Sequence, residues 1–163
     1  MTPGRTSETK KKLTPEAAAI RIHRYCALQE RSHSEVRNKL YEFGLYQSQV
    51  EELLSTLITG GFLNEERFAK AFAGGKFRIK KWGRNKITHE LEQRKITPRC
   101  IQKGLNEIDE RDYMKTLKAL LKRKLALTTE KNLFKKRDKV ARFAIGKGYE
   151  PELVWMILKD TDD

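Results

Sequence analysis

The side chains here that could do chemistry are cations. Lys and Arg number 35 against 22 Asp and Glu, a net charge of +13, and the excess is unevenly placed. Residues 15–64 sum to −1, residues 65–108 to +7 and residues 109–163 to +4. Two runs stand out. Lys70, Lys76, Arg78, Lys80, Lys81, Arg84 and Lys86 form one, and Lys135, Lys136, Lys139 and Arg142 the other. A segregated basic surface suits a polyanion, above all nucleic acid, because each phosphate contact releases condensed counterions. The bland alternative is a chain kept soluble by its lysines. Phe77 falls in the middle of the first basic face, either as a partner contact or as packing against a neighbouring repeat.

Catalytic patterns are otherwise missing. His89-Glu90 opens like a zinc-protease motif, but Gln93 stands where the second histidine belongs. His23 and Cys26 share a helical face without a second ligand pair. Neither a P-loop nor a GxSxG is present. The expectation is a non-enzyme with no cofactor and no metal. Cys26 and Cys100 lack CxxC spacing, no apolar run is long enough for a membrane, and MTPGRTSETKKK has no hydrophobic segment of a secretion signal, so a cytoplasmic location is expected.

The elements that must position these cations come from an internal repeat. Val36, Ile87 and Val140 align, then Leu40, Leu91 and Ala144, then Leu45, Ile96 and Tyr149, then Val50, Ile101 and Val154, then Leu54, Leu105 and Leu158. Each copy reads as helix, tight turn, helix. Gly44 and Gly148 sit where a left-handed C′ residue is needed, and Lys95 replaces glycine in the middle copy, so that turn is strained or differently closed. Units of about 50 residues share a core by stacking. The expected fold is all-α, three tandem three-helix repeats (14–64, 65–108, 109–163) stacked as one domain over 14–163 into an elongated, curved, solenoid-like body, preceded by a disordered basic tail at 1–13.

Local signals place the helices. Thr14-Pro15-Glu16 starts the first, with Ile20, Tyr25 and Leu28 as its expected core face; Ser32-x-x-Glu35 is a capping box; Asn64 is a cap, and either Asp109 or Asn106 caps the first helix of the third unit. From Glu65 to about Trp82 the stripe Phe68, Phe72, Gly75, Ile79 and Trp82 is expected to face the core. Gly74-Gly75 within it implies a kink or a close helix approach.

Three segments, SHSEVRNKL at 32–40, GFLNEERFAKAF at 61–72 and WGRNKITHELEQRKI at 82–96, resemble successive signature segments of the RecX family of bacterial RecA regulators. The resemblance spans most of residues 15–160 and implies a regulator of homologous recombination and DNA repair. Such a protein would lodge, as a monomer, in the groove of the RecA filament and restrain its ATPase and strand exchange, meeting single- and double-stranded DNA through phosphates. The competing readings are a sequence-nonspecific DNA-binding protein and a purely protein-binding α-solenoid.

Overall fold

The structure is a computed structural model that describes residues 12–160, and every regular element among them is helical. The helices fall into triplets: α1 (Pro15–Leu28), α2 (His33–Glu42) and α3 (Gln47–Thr59); α4 (Glu65–Gly75), α5 (Arg84–Gln93) and α6 (Pro98–Leu105); α7 (Glu110–Leu127), α8 (Leu133–Gly146) and α9 (Pro151–Asp160). Two compact units result, one ending at Glu65 and one beginning at Glu66, the second holding repeats two and three. The tail expected over 1–13 lies outside the described residues except for Lys12 and Leu13. Leu13 packs on the first core, and its N–H donates to the Phe43 carbonyl at 2.9 Å.

Caps fix the helix starts. Thr14 Oγ1 accepts the Ala17 N–H at 3.2 Å with Pro15 at the first helical position. Ser32 and Glu35 complete the capping box, and Asp109 Oδ1 accepts the Asp112 N–H at 3.0 Å. The aligned apolar positions are core except Leu105, which is half-buried against it: Val36, Ile87 and Val140 are fully buried, as are Leu40, Leu91 and Ala144. The three reversals have one geometry. Gly44 (φ 84°), Lys95 (φ 59°) and Gly148 (φ 103°) all take the left-handed conformation, so the middle turn closes like the others and is strained, by about 1–2 kcal/mol.

In the first unit, the buried face of α1 is Ala18 and Ile22, with Tyr25 and Cys26 beside them. Ile20 and Leu28 are exposed, contrary to the expected face, which turns on Ala18 and Ile22 instead.

In the second unit, α4 buries Phe68, Ala69, Ala73 and Gly74. A single π turn, Lys76–Lys80, then replaces the α-helix and ends at Lys81 in the left-handed conformation (φ 58°). Each residue of the widened turn rotates the chain less than in an α-helix. Phe77 therefore joins Ala69 and Ala73 on the buried side, and Ile79 turns outward, which corrects its expected place in the core stripe. Phe72 and Trp82 of the expected stripe are half-buried. Gly74-Gly75 marks this change of helix. A Cβ on Gly75 would meet nothing within 4 Å, and one on Gly74 would first meet the end of the flexible Arg78 side chain. The close approaches lie elsewhere. A Cβ on Gly104 would stand 2.6 Å from the Ala69 carbonyl oxygen, where α6 crosses α4.

Candidate nucleic-acid interface

Repeats two and three are locked by backbone contact before any surface charge is placed. Gly83 lies so close to the α8–α9 turn that a Cβ would fall 2.3 Å from both the Gly148 carbonyl carbon and the Tyr149 nitrogen. The Gly83 N–H donates to the Lys147 carbonyl and the Asn85 N–H to the Gly148 carbonyl, both at 2.8 Å. The turn of repeat three thus caps the start of α5.

An aromatic column runs beside this seam. Phe77, Tyr113 and Tyr149 stack with centroids 5.8 and 5.2 Å apart. The Tyr113 hydroxyl accepts the Arg84 N–H at 3.1 Å and donates to Glu150. Burial first, then the bond to Glu150, pushes its ionisation well above the usual phenol range. Tyr149 donates to the Lys81 carbonyl at 2.8 Å, and burial followed by the Glu150 charge pushes its pKa up to about 12. The Arg84 guanidinium lies 3.9 Å from the Tyr113 ring centroid, pairs with Glu150 at 2.9 Å and also pairs with Glu110. Arg84, expected to meet DNA, is a strut of the seam, and of the two readings of Phe77 the packing against a neighbouring repeat holds, while the candidate partner contact is buried in the column.

A channel opens where Phe77 of the column meets α7. Two adjoining grooves share Lys81, Leu120 and Arg123 and have volumes of about 510 and 330 Å³. The first lies between the π turn and α7, lined by Phe77, Arg78, Asp112 and Lys115 among others; the second reaches Lys124, Leu127, Phe143 and Lys147. Six cations therefore line the channel, Arg78, Lys81, Lys115, Arg123, Lys124 and Lys147, against one carboxylate, Asp112. None of the six is ion-paired among the described residues. Lys147 donates to the Lys80 carbonyl at 3.2 Å, and Lys124 lies 4.4 Å from the Phe143 ring centroid. An apolar floor with a cationic rim holds phosphates by charge without reading bases.

The other expected site residues scatter. Lys70 pairs with Glu66 at 3.2 Å and Glu107 at 3.9 Å. Lys76 and Lys86 lie 5.0 and 4.6 Å from the Trp82 ring centroid, and Lys80 projects into solvent beside Ile79. On α8, Lys139 pairs with Glu130 at 3.4 Å and Arg142 with Asp138 at 3.0 Å. Lys135 opens onto a separate apolar cavity, and Lys136 is half-buried. Of the twelve, Arg78, Lys81 and the floor residue Phe77 reach the channel. Sequence reasoning missed Lys115, Arg123, Lys124 and Lys147. Spacing on α7 gave no signal: at 100° per residue Lys115 lies within about 20° of Lys122, yet Lys115 lines the channel with Arg123 while Lys118 and Lys122 line a different groove beside Asp160.

Comparison with known proteins gives this geometry a family. Residues 64–105 match the model described as "RecX, second three-helix domain" and residues 111–158 that described as "RecX, third three-helix domain". "Regulatory protein RecX" of Thermotoga petrophila is 28% identical over 162 residues, covering 97% of this chain and 89% of that protein. That of Prosthecochloris aestuarii is 26% identical over 136 residues, covering 83% and 87%. Against the clostridial relatives the chain spans less: 62% of the Clostridium botulinum Eklund 17B protein and 57% of the Clostridium perfringens strain 13 protein. The crystal structure of RecX from Lactobacillus salivarius superimposes with a TM-score of 0.80 at 16% identity, over 91% of this chain and 96% of that one, which shows a shared fold. Two matched three-helix domains in register with repeats two and three, together with relatives matched along nearly the whole chain, establish that this protein belongs to the RecX family.

Proposed function

We infer that this chain regulates the RecA recombinase by lodging in the helical groove of the RecA–DNA filament, where it restrains ATP hydrolysis and strand exchange. The channel along α7 supports this reading most directly: six cations not ion-paired among the described residues surround an apolar floor, with a single carboxylate among them. In the filament they would meet DNA phosphates, and the near-neutral first repeat would be left to contact protein. An inhibitor that acts by occupying a groove needs no catalytic group.

Position as well as charge makes the reading testable. The triple variant Lys115→Ala, Arg123→Ala, Lys124→Ala should reduce the slope of log K against log salt by about 2–3 for duplex DNA, at roughly 0.9 for each phosphate no longer neutralised. Lys118→Ala with Lys122→Ala changes charge on the same helix outside the channel and should leave the slope nearly intact. Equal slopes for both variants would assign the charge to solubility. If the wild-type chain binds bare DNA as tightly as RecA-coated DNA and leaves RecA activity untouched, the general DNA-binding reading replaces the recombinase one.

A further inference from the structure

The third repeat carries an aromatic surface that neither the core nor the channel uses. Phe134, in the first turn of α8, is 84% exposed, and Trp155 on α9 is 36% exposed. Both open onto a cavity of about 350 Å³ whose floor includes Leu158 and whose rim carries Lys135, Arg137 and Lys159. Asp138 is the one carboxylate in the wall, and its charge is answered by Arg142 at 3.0 Å. The cavity is thus apolar inside and cationic outside.

We propose that this cavity is a base-stacking site for single-stranded nucleic acid. A ring held in water keeps its burial free energy for a partner. Single-stranded sites combine two features, aromatic faces for the bases and cations tracking the backbone, and both occur here within one wall. Of the rings in the channel, Phe77 is buried against Tyr113, and Phe143, though 37% exposed, has Lys124 and Lys147 over its face at 4.4 and 5.8 Å from the centroid. That groove is left with phosphates and is indifferent to strandedness, whereas Phe134 and Trp155 can take only bases with a free face. Duplex bases are stacked on their own neighbours and offer none. An acidic protein segment would satisfy the rim, but it would have no use for flat rings beyond their area. This site goes beyond the recombinase reading and is tested without any recombinase, so the two stand or fall separately.

The test uses the full chain with Trp82→Phe, which leaves Trp155 as its sole tryptophan. It is titrated with a short oligothymidylate, with an abasic oligomer of equal length, and with a hairpin duplex. The oligothymidylate should quench Trp155 emission and bind at least about fivefold tighter than the abasic strand, the worth of one stacked base. Phe134→Ala should weaken oligothymidylate binding by about fivefold to a hundredfold while leaving the abasic strand and the duplex unaffected. Phe134 is exposed enough that the fold should survive, as an unchanged helical circular dichroism spectrum would show. Equal affinity for the abasic strand with unchanged Trp155 emission overturns the proposal and leaves the face to a protein partner. So does an equal loss of oligothymidylate and duplex binding in Phe134→Ala.

Discussion

A single methyl group should separate repeats two and three. In Gly83→Ala the added Cβ would lie 2.3 Å from the Gly148 carbonyl carbon and the Tyr149 nitrogen and 2.4 Å from the Gly148 oxygen, where ordinary contact begins at 3.4 Å. All three atoms are backbone, and Tyr149 is fully buried against Tyr113, so no flexible side chain can give way. Relief requires the two main-chain segments to part. That breaks the Gly83–Lys147 and Asn85–Gly148 hydrogen bonds, about 1 kcal/mol each. Residual overpacking adds about 1–3 kcal/mol. The expected loss is therefore about 3–5 kcal/mol. Gly75→Ala is the control: its backbone is α-helical (φ −66°, ψ −47°) with no atom within 4 Å of the new Cβ, so it should stabilise by up to about 1 kcal/mol. Trp82 and Trp155 both lie in the second unit, so tryptophan emission in urea follows that unit alone. A loss below about 1 kcal/mol for Gly83→Ala would refute the account of this seam.

Three further outcomes follow from the same geometry. Lys95→Gly should raise stability by about 0.5–1 kcal/mol in urea melts by relieving the left-handed backbone, net of the freedom glycine adds to the unfolded chain, and Lys95→Ala should not. Phe77→Ala should cost about 3–5 kcal/mol and Ile79→Ala less than about 0.5 kcal/mol, which tests the phase shift at the π turn. Tyr149 ionises near pH 12 when folded against 10.0 for a free phenol. The unfolded chain therefore loses this proton first, so the contribution is whole below pH 10 and falls by about 2–3 kcal/mol as pH rises to 12. Tyr149→Phe should flatten that share of the alkaline decline in pH-dependent melts.

The repeat was legible because its apolar positions recur at near-constant offsets and all point inward. Val36, Ile87 and Val140 needed no partner to be identified, and neither did the Ser32 capping box. The phase of α4 was not legible. A period of 3.6 carried through Lys76–Lys80 places Ile79 inside and Phe77 outside, and nothing local announces the wider turn except the Gly74-Gly75 pair before it. Small residues misled as well, since Ala18, Ala69 and Ala73 are fully buried yet weigh little in an apolar pattern. Basic clusters were visible as sequence runs, but the channel draws its cations from three elements. Arg84 looked free because its partners, Glu110 and Glu150, lie 26 and 66 residues away in the chain.

If the α7 channel engages a RecA–DNA filament, ATP hydrolysis by that filament responds to the cations of the channel. The direct measurement is DNA-dependent ATP hydrolysis by RecA from the same source, with substoichiometric amounts of the wild-type chain, of Lys115→Ala/Arg123→Ala/Lys124→Ala and of Lys118→Ala/Lys122→Ala. The wild type and the second variant should slow hydrolysis comparably, the channel variant should do so far less, and inhibition should fade as salt rises through the physiological range. Unimpaired hydrolysis with the wild-type chain, or equal inhibition by both variants, would contradict engagement through the channel.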